Sequence, residues 1–168
     1  MHEARFIVGI DFGTTNITVA YTDTKKDPEK IVLFPIPQLS APGEIIESEL
    51  LPAFCFFPDK RQLPEKALKL PWKGKTDYAV GVYARDFGPD SPGRFISSVK
   101  SWLCHAGINR REKILPWNSD FKDCTRSPIE ISRYYLEHIR NAWDFKFKHL
   151  KDKNGKPCLF ANQQVVLT

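Results

Sequence analysis

Apolar positions along the chain form short strand-like runs at the front, a proline-broken middle and one long helical stripe near the end. Phe6-Ile7-Val8-Gly9-Ile10 is a continuous apolar run, the pattern of a strand covered on both faces. Ile17-Thr18-Val19-Ala20-Tyr21-Thr22 alternates instead, which puts Ile17, Val19 and Tyr21 on one face of a second strand. Ile31-Val32-Leu33-Phe34 supplies a third strand after the turn at Lys25-Lys26-Asp27-Pro28. Only Asp11 to Asn16 separate the first two strands, a connection short enough for a hairpin.

From about Gln38 to Arg126 the pattern is looser and rich in proline. Leu51 to Phe57 reads as a strand that Pro58 ends, and Pro64 to Lys75 as an exposed insertion. Tyr78 to Tyr83 reads as a strand leading into a helix around Ala84 to Phe87. After Pro92-Gly93, the stretch Arg94 to Cys104 spaces Phe95, Val99 and Leu103 four apart, on one face of a predicted helix. Ser127-Pro128-Ile129-Glu130 opens the best-marked element, with Ser at the N-cap, Pro at the first helical position and Glu three residues after the cap. That helix is expected to reach about Lys148, with Ile131, Tyr135, Ile139, Ala142 and Trp143 in one stripe and Leu136 beside it. Asn154-Gly155 makes a turn, and Gln164 to Thr168 begin another apolar strand. A buried-type strand that stops there leaves its pairing unfinished, so the chain reads as the front piece of something larger.

Composition adds limits. The chain has 168 residues, 42% hydrophobic and 27% charged, with twelve Phe, four Trp and five Tyr, enough for a core and against general disorder. Thirteen Pro imply much loop. No apolar run reaches the roughly eighteen residues of a membrane-spanning helix, and Met1 to Arg5 lack the apolar stretch of a secretory signal, so a cytoplasmic location without membrane contact is expected. The formal charge of +5 includes Lys146, Lys148, Lys151, Lys153 and Lys156. We read those lysines as a solvated helix C-terminus meeting the helix dipole. No stacking aromatic pattern accompanies them, so nucleic acid is not an expected partner. Cys55, Cys104, Cys124 and Cys158 include no C-x-x-C pair, and His2, His105, His138 and His149 are isolated, which argues for reduced thiols and against a structural metal.

The candidate chemistry lies in Gly9-Ile10-Asp11-Phe12-Gly13-Thr14-Thr15-Asn16. A carboxylate ends an apolar strand, and a tight turn follows in which Gly13 allows close approach of a ligand. Successive N–H groups from Gly13 to Asn16 can converge on phosphate oxygens, and the hydroxyls of Thr14 and Thr15 add donors. Asp11 would supply negative charge for Mg²⁺ through water, since Mg²⁺ keeps much of its hydration shell. A plain β-hairpin with a Gly-Thr turn and a solvated Asp is the other reading of these residues.

Ile10 to Asn16 resemble the first phosphate motif of the actin, Hsp70 and sugar-kinase ATPase superfamily. Further segments resemble the Hsp70 branch in the right order. They are Glu49 to Phe54, Tyr78 to Ala84, Phe95 to Leu103 (the segment that carries a catalytic lysine), Ser127 to Ser132 and Val165 to Thr168. The resemblance covers nearly the whole chain, with extra length around Pro37–Glu47 and Asp59–Thr76. It departs from the family in lacking the Arg-Thr-Thr before Pro52 and the Arg after Lys100. The second phosphate motif, the adenosine motif, the second lobe and the substrate-binding domain have no counterpart here.

The resemblance implies an α/β fold of the ribonuclease H-like type. Residues 1–37 and 127–168 would form one mixed-sheet subdomain, and residues 38–126 a smaller α+β insertion. It implies ATP or ADP with Mg²⁺ as cofactors of the full-length protein. Gly13, Thr14, Thr15 and Asn16 would hold the β- and γ-phosphates, with Asp11 in the outer shell of Mg²⁺. Lys100 would reach the γ-phosphate and position the attacking water. Unfolded polypeptide clients and co-chaperones would be partners through regions not present in this chain. Two other classes share the motif: a sugar or small-molecule kinase, and a non-catalytic actin-like regulator. With one partial lobe, the chain alone should bind nucleotide weakly or not at all and should not turn over ATP.

Overall fold

The computed structural model describes residues 4–59, 61–72 and 76–168. The polar start Met1-His2-Glu3 and the Lys73–Lys75 end of the expected insertion lie outside these residues. The fold is mixed α/β, built mostly of strands in several sheets.

The largest sheet grows from the hairpin that the apolar pattern predicts. Strands β1 (Phe6–Phe12) and β2 (Asn16–Asp23) pair antiparallel from Phe6↔Asp23 to Phe12↔Ile17. Strand β3 (Asp27–Leu33) pairs with one half of β2, and β6 (Leu50–Pro52) with the other half through Asn16↔Pro52. Strand β10 (Gln164–Leu167) lies on the far side of β1 and runs parallel to it, giving the order β10-β1-β2-β3.

One face of this sheet is covered by α3 (Pro128–Phe147). Its start is fixed by the predicted capping box: the Glu130 amide donates to Ser127 Oγ at 3.2 Å, and the Ser127 amide to Glu130 Oε2 at 2.8 Å. The predicted stripe Ile131, Tyr135, Ile139, Ala142 and Trp143 is fully buried against Phe6, Val8, Ile10, Phe12, Ile17 and Val19. Trp143 is the hub, meeting Phe6 at 5.3 Å, Tyr21 at 5.4 Å and Phe34 at 5.5 Å between ring centroids. Its indole N–H donates to the Cys158 carbonyl at 3.0 Å, so the polar atom of the largest core side chain is satisfied.

The other face of the sheet corrects the expectation of a doubly covered first strand. Phe6, Val8, Ile10 and Phe12 are buried, but Ile7 and Asp11 between them are exposed. The run is apolar on both sides, yet among the described residues only one side is packed.

The middle of the chain holds most of the departures. The expected strand Leu51 to Phe57 is two strands, β6 and β7 (Cys55–Phe56). They are split where the Ala53 amide turns to Thr15 O at 2.8 Å and Phe54 O accepts from the Gly81 amide at 3.2 Å. The expected strand Tyr78 to Tyr83 shrinks to β8 (Ala79–Val80), because Gly81 at φ +82° bends the chain into α1 (Val82–Phe87). The expected helix from Arg94 is interrupted as well. Phe95–Ile96 form β9, which pairs with β7 through Cys55↔Ile96, and only Val99–Cys104 are helical, as α2. Phe95, Val99 and Leu103 therefore do not share a helix face.

A hairpin of β4 (Ile36–Ala41) and β5 (Glu44–Ser48) stands where no regular element is expected. In the expected exposed insertion, Ala67, Leu68 and Leu70 are buried, packing with Leu39, Phe56 and Tyr83 in a second cluster. The main core is shared along the chain, since Cys55, Val80, Ile96, Val99, Leu115 and Cys124 join the sheet and α3 in it.

Buried Gln38 ties these pieces together. Its Nε2 donates to Leu50 O and its Oε1 accepts from the Val82 amide, both at 2.9 Å. A side chain at Gly81 would strike that Oε1 and a Leu51 methyl. His138 on α3 makes a parallel link to the carbonyl of Pro37, at 2.9 Å.

Candidate functional site

The turn from Gly13 to Asn16 forms where β1 and β2 can no longer pair. A Cβ at position 13 would run into the carbonyl oxygen of Asn16, so this turn closes only around glycine. Both flanks of the turn are fixed. On one side Thr15 O accepts from the Ala53 amide at 2.8 Å. On the other, the Phe12 amide donates to Thr168 O at 3.1 Å and the Thr168 amide to Ile10 O at 3.0 Å.

The tip itself is open. Among the described residues, the loop amides of Thr14 and Thr15 donate to no acceptor, and the side chains of Thr14 and Thr15 are exposed. Asp11 is exposed on the unpacked face of the sheet, opposite Thr18 in register, and enters no hydrogen bond or ion pair among the described residues. Free amides, hydroxyls and one uncommitted carboxylate fit a hydrated Mg²⁺–phosphate group in kind: the amides suit the anion, and a water-mediated cation needs few protein ligands. Among the described residues no group of three or more His, Cys, Asp or Glu gathers to hold a metal ion directly.

Lys100 stands apart from this turn. It is the second residue of α2, half-buried beside buried Val99, and it forms no hydrogen bond or ion pair among the described residues. The sheets join the two regions indirectly. The turn touches Ala53, Cys55 two residues on pairs with Ile96, and Lys100 follows four residues later. Asp11, Gly13, Thr14, Thr15 and Asn16 are thus brought together, while no bond links Lys100 to any of them. Ser98, which precedes α2, holds a left-handed backbone at φ 54° with no side-chain cap. Strain of this kind in a residue other than glycine costs roughly 1 kcal/mol or more.

Sequence reasoning missed a second concave region, a cavity of about 320 Å³ lined by Phe57, Asp59, Arg61, Arg94, Asp123 and Cys124 among others. Its charges are already paired, Arg94 with Asp123 at 3.0 Å and Arg61 with Asp59 at 2.6 Å. The hydrogen bonds from Arg61 hold the Asp59 carboxyl down to about 2. No local motif marks these six residues, which come from three separate stretches of chain.

Burial pushes the thiols of Cys55, Cys124 and Cys158 up, away from the reactive thiolate, whereas Cys104 is exposed. All four are free. No helix among the described residues is long and apolar enough to cross a membrane. Comparison with family models and with curated proteins finds no match to this chain.

Proposed function

We propose that this chain is the N-terminal part of the nucleotide-binding domain of an Hsp70-like chaperone ATPase, with a ribonuclease H-like lobe at its base. One observation carries the reading. The β1–β2 hairpin ends in a glycine-dependent turn whose Thr14 and Thr15 amides are free among the described residues, next to an uncommitted carboxylate and beside the parallel strand β10. A plain hairpin accounts for the glycine and the two loop amides, but gives no reason for the unpaired Asp11 beside them.

In this reading Gly13, Thr14, Thr15 and Asn16 hold the β- and γ-phosphates of ATP. Asp11 orders water on Mg²⁺. Lys100 approaches the γ-phosphate when nucleotide is bound, offsetting charge on the transferring phosphoryl oxygens. Half-buried Lys100 supports this role, since no carboxylate among the described residues pairs with its ammonium.

The test is Lys100→Ala in a protein that carries this chain together with its second lobe. Hydrolysis should fall at least about tenfold while ATP affinity stays within a few-fold, because the lost interaction acts mainly on the transition state. Unchanged hydrolysis would move the chain to the non-catalytic actin-like class. Phosphorylation of a sugar in place of water would move it to the kinases.

A further inference from the structure

Helix α2 and the loop that follows it carry a surface that the proposed nucleotide chemistry does not use. Trp102 and Trp117 stack with 5.3 Å between ring centroids and 25° between planes. Trp102 is the inner partner, half-buried against the main core, whereas Trp117 is 58% exposed. Phe121 is another exposed ring nearby in sequence, with the Arg94 guanidinium over it at 4.4 Å. An indole presented to water on a fixed stack is a surface suited to a partner.

The charge pattern says which kind. Residues 94–126 contain seven Lys and Arg against three Asp and Glu, a net charge of +4. Residues 146–156 also carry +4, from five Lys and one Asp, which leaves the remaining 124 residues at −3. Of the two basic segments, only the first presents a stacked tryptophan pair. There the side chains of Arg110, Arg111 and Lys122 enter no hydrogen bond or ion pair among the described residues, so their charge is not spent internally. An acidic peptide would satisfy the charge but brings a planar group only where it carries an aromatic residue. A single nucleic-acid strand offers both, a phosphate at every step and an unpaired base with a π-face.

We propose that the exposed segment 94–126 binds single-stranded nucleic acid, with a base stacked on Trp117 and backbone phosphates met by Arg110, Arg111 and Lys122. The expectation of no nucleic-acid partner came from the lysines of 146–156, and the structure locates stacked aromatics in the other basic segment. This inference does not depend on the ATPase reading.

The experiment titrates the 168-residue chain with an oligothymidylate of about twelve nucleotides, a length within known single-strand site sizes, and follows tryptophan fluorescence. Saturable quenching is expected, with affinity falling steeply as salt rises. An abasic strand of equal length should bind at least about fivefold more weakly, and Trp117→Ala should lose at least as much, whereas Trp117→Phe should keep most of the affinity. Arg111→Glu, which breaks no side-chain hydrogen bond or ion pair among the described residues, should weaken binding and flatten the salt dependence, while Lys151→Glu in the other basic segment should not. No binding, equal binding of the abasic strand, or full affinity in Trp117→Ala would overturn the proposal. So would equally tight binding of polyglutamate, which would point to an acidic protein partner.

Discussion

The two faces of the largest sheet are built from the same strands and have opposite fates. On the inner face Phe6, Val8, Ile10, Phe12, Ile17 and Val19 vanish under α3. On the outer face Ile7, Asp11, Leu33 and Val166 meet water. Alternation along each strand separates the roles of neighbouring residues. The inner set decides whether the chain folds. The outer set includes the one carboxylate of the candidate site and is free to vary with function. Asp11 sits between two core residues and belongs to neither face by accident: shifting β1 by one position would bury it and expose Phe12.

The difference should be largest at the hub. Trp143→Ala removes the ring on which Phe6, Tyr21 and Phe34 converge, and should cost about 3–5 kcal/mol in urea unfolding, enough to unfold the chain under mild conditions. Ile7→Ser on the outer face should change stability by less than about 1 kcal/mol, and a comparable loss there would show that the outer face is packed after all.

Next in size is Gly81→Ala, on the inner side of the junction between β8 and α1. The positive φ and the contacts with Gln38 and Leu51 predict a loss of about 1–3 kcal/mol, measured the same way.

The capping box supplies a pH-dependent test of the inner layer. Burial pushes the Glu130 carboxyl up, but the hydrogen bonds from Ser127 outweigh it and hold the group below its ordinary value. A carboxyl depressed in the folded state stabilises above its unfolded value and loses that contribution as pH falls through the folded one. Glu130→Gln should therefore cost about 1 kcal/mol or less at neutral pH, with the gap to wild type closing as the pH drops through the carboxylate range. A gap independent of pH would mean that the charge of Glu130 does not matter.

The smallest expected effect is the most telling about packing quality. The Tyr135 hydroxyl is buried and has no partner among the described residues, facing the cost of an unmet hydrogen bond. Tyr135→Phe should be neutral or stabilising by up to about 1 kcal/mol, whereas a clear loss would reveal a bound water at that oxygen.

What could be read from the chain beforehand follows the same division. Helix α3 was legible in full because two independent signals, the Ser127–Glu130 cap and a stripe of period 3.6, agree within twenty residues. The β1–β2 hairpin was legible because its partners are adjacent in sequence. The middle was not, since β7, β8 and β9 are each two residues long, too short to show any period, and pair across intervals of up to 41 residues, as Cys55 with Ile96 does. Pro37 and Pro42 hid the β4–β5 hairpin, although Pro42-Gly43 is itself a turn signal. At the candidate site, sequence marked the turn and Asp11. The missing neighbours, Ala53 and Thr168, reach it through tertiary pairing that no local pattern encodes. The Trp102–Trp117 stack escaped for the same reason, its two rings standing fifteen positions apart and sharing no element.

The pairing of β10 with β1 also has a consequence in time. Ile10 and Thr168 are hydrogen-bonded neighbours at opposite ends of the described chain. A growing polypeptide can zip the hairpin within its first two dozen residues, but the parallel edge must wait until nearly everything between has been synthesised and compacted. During that wait one edge of β1 offers its amides and carbonyls to any passing strand. The candidate-site end of the hairpin is thus paired early along one edge and late along the other.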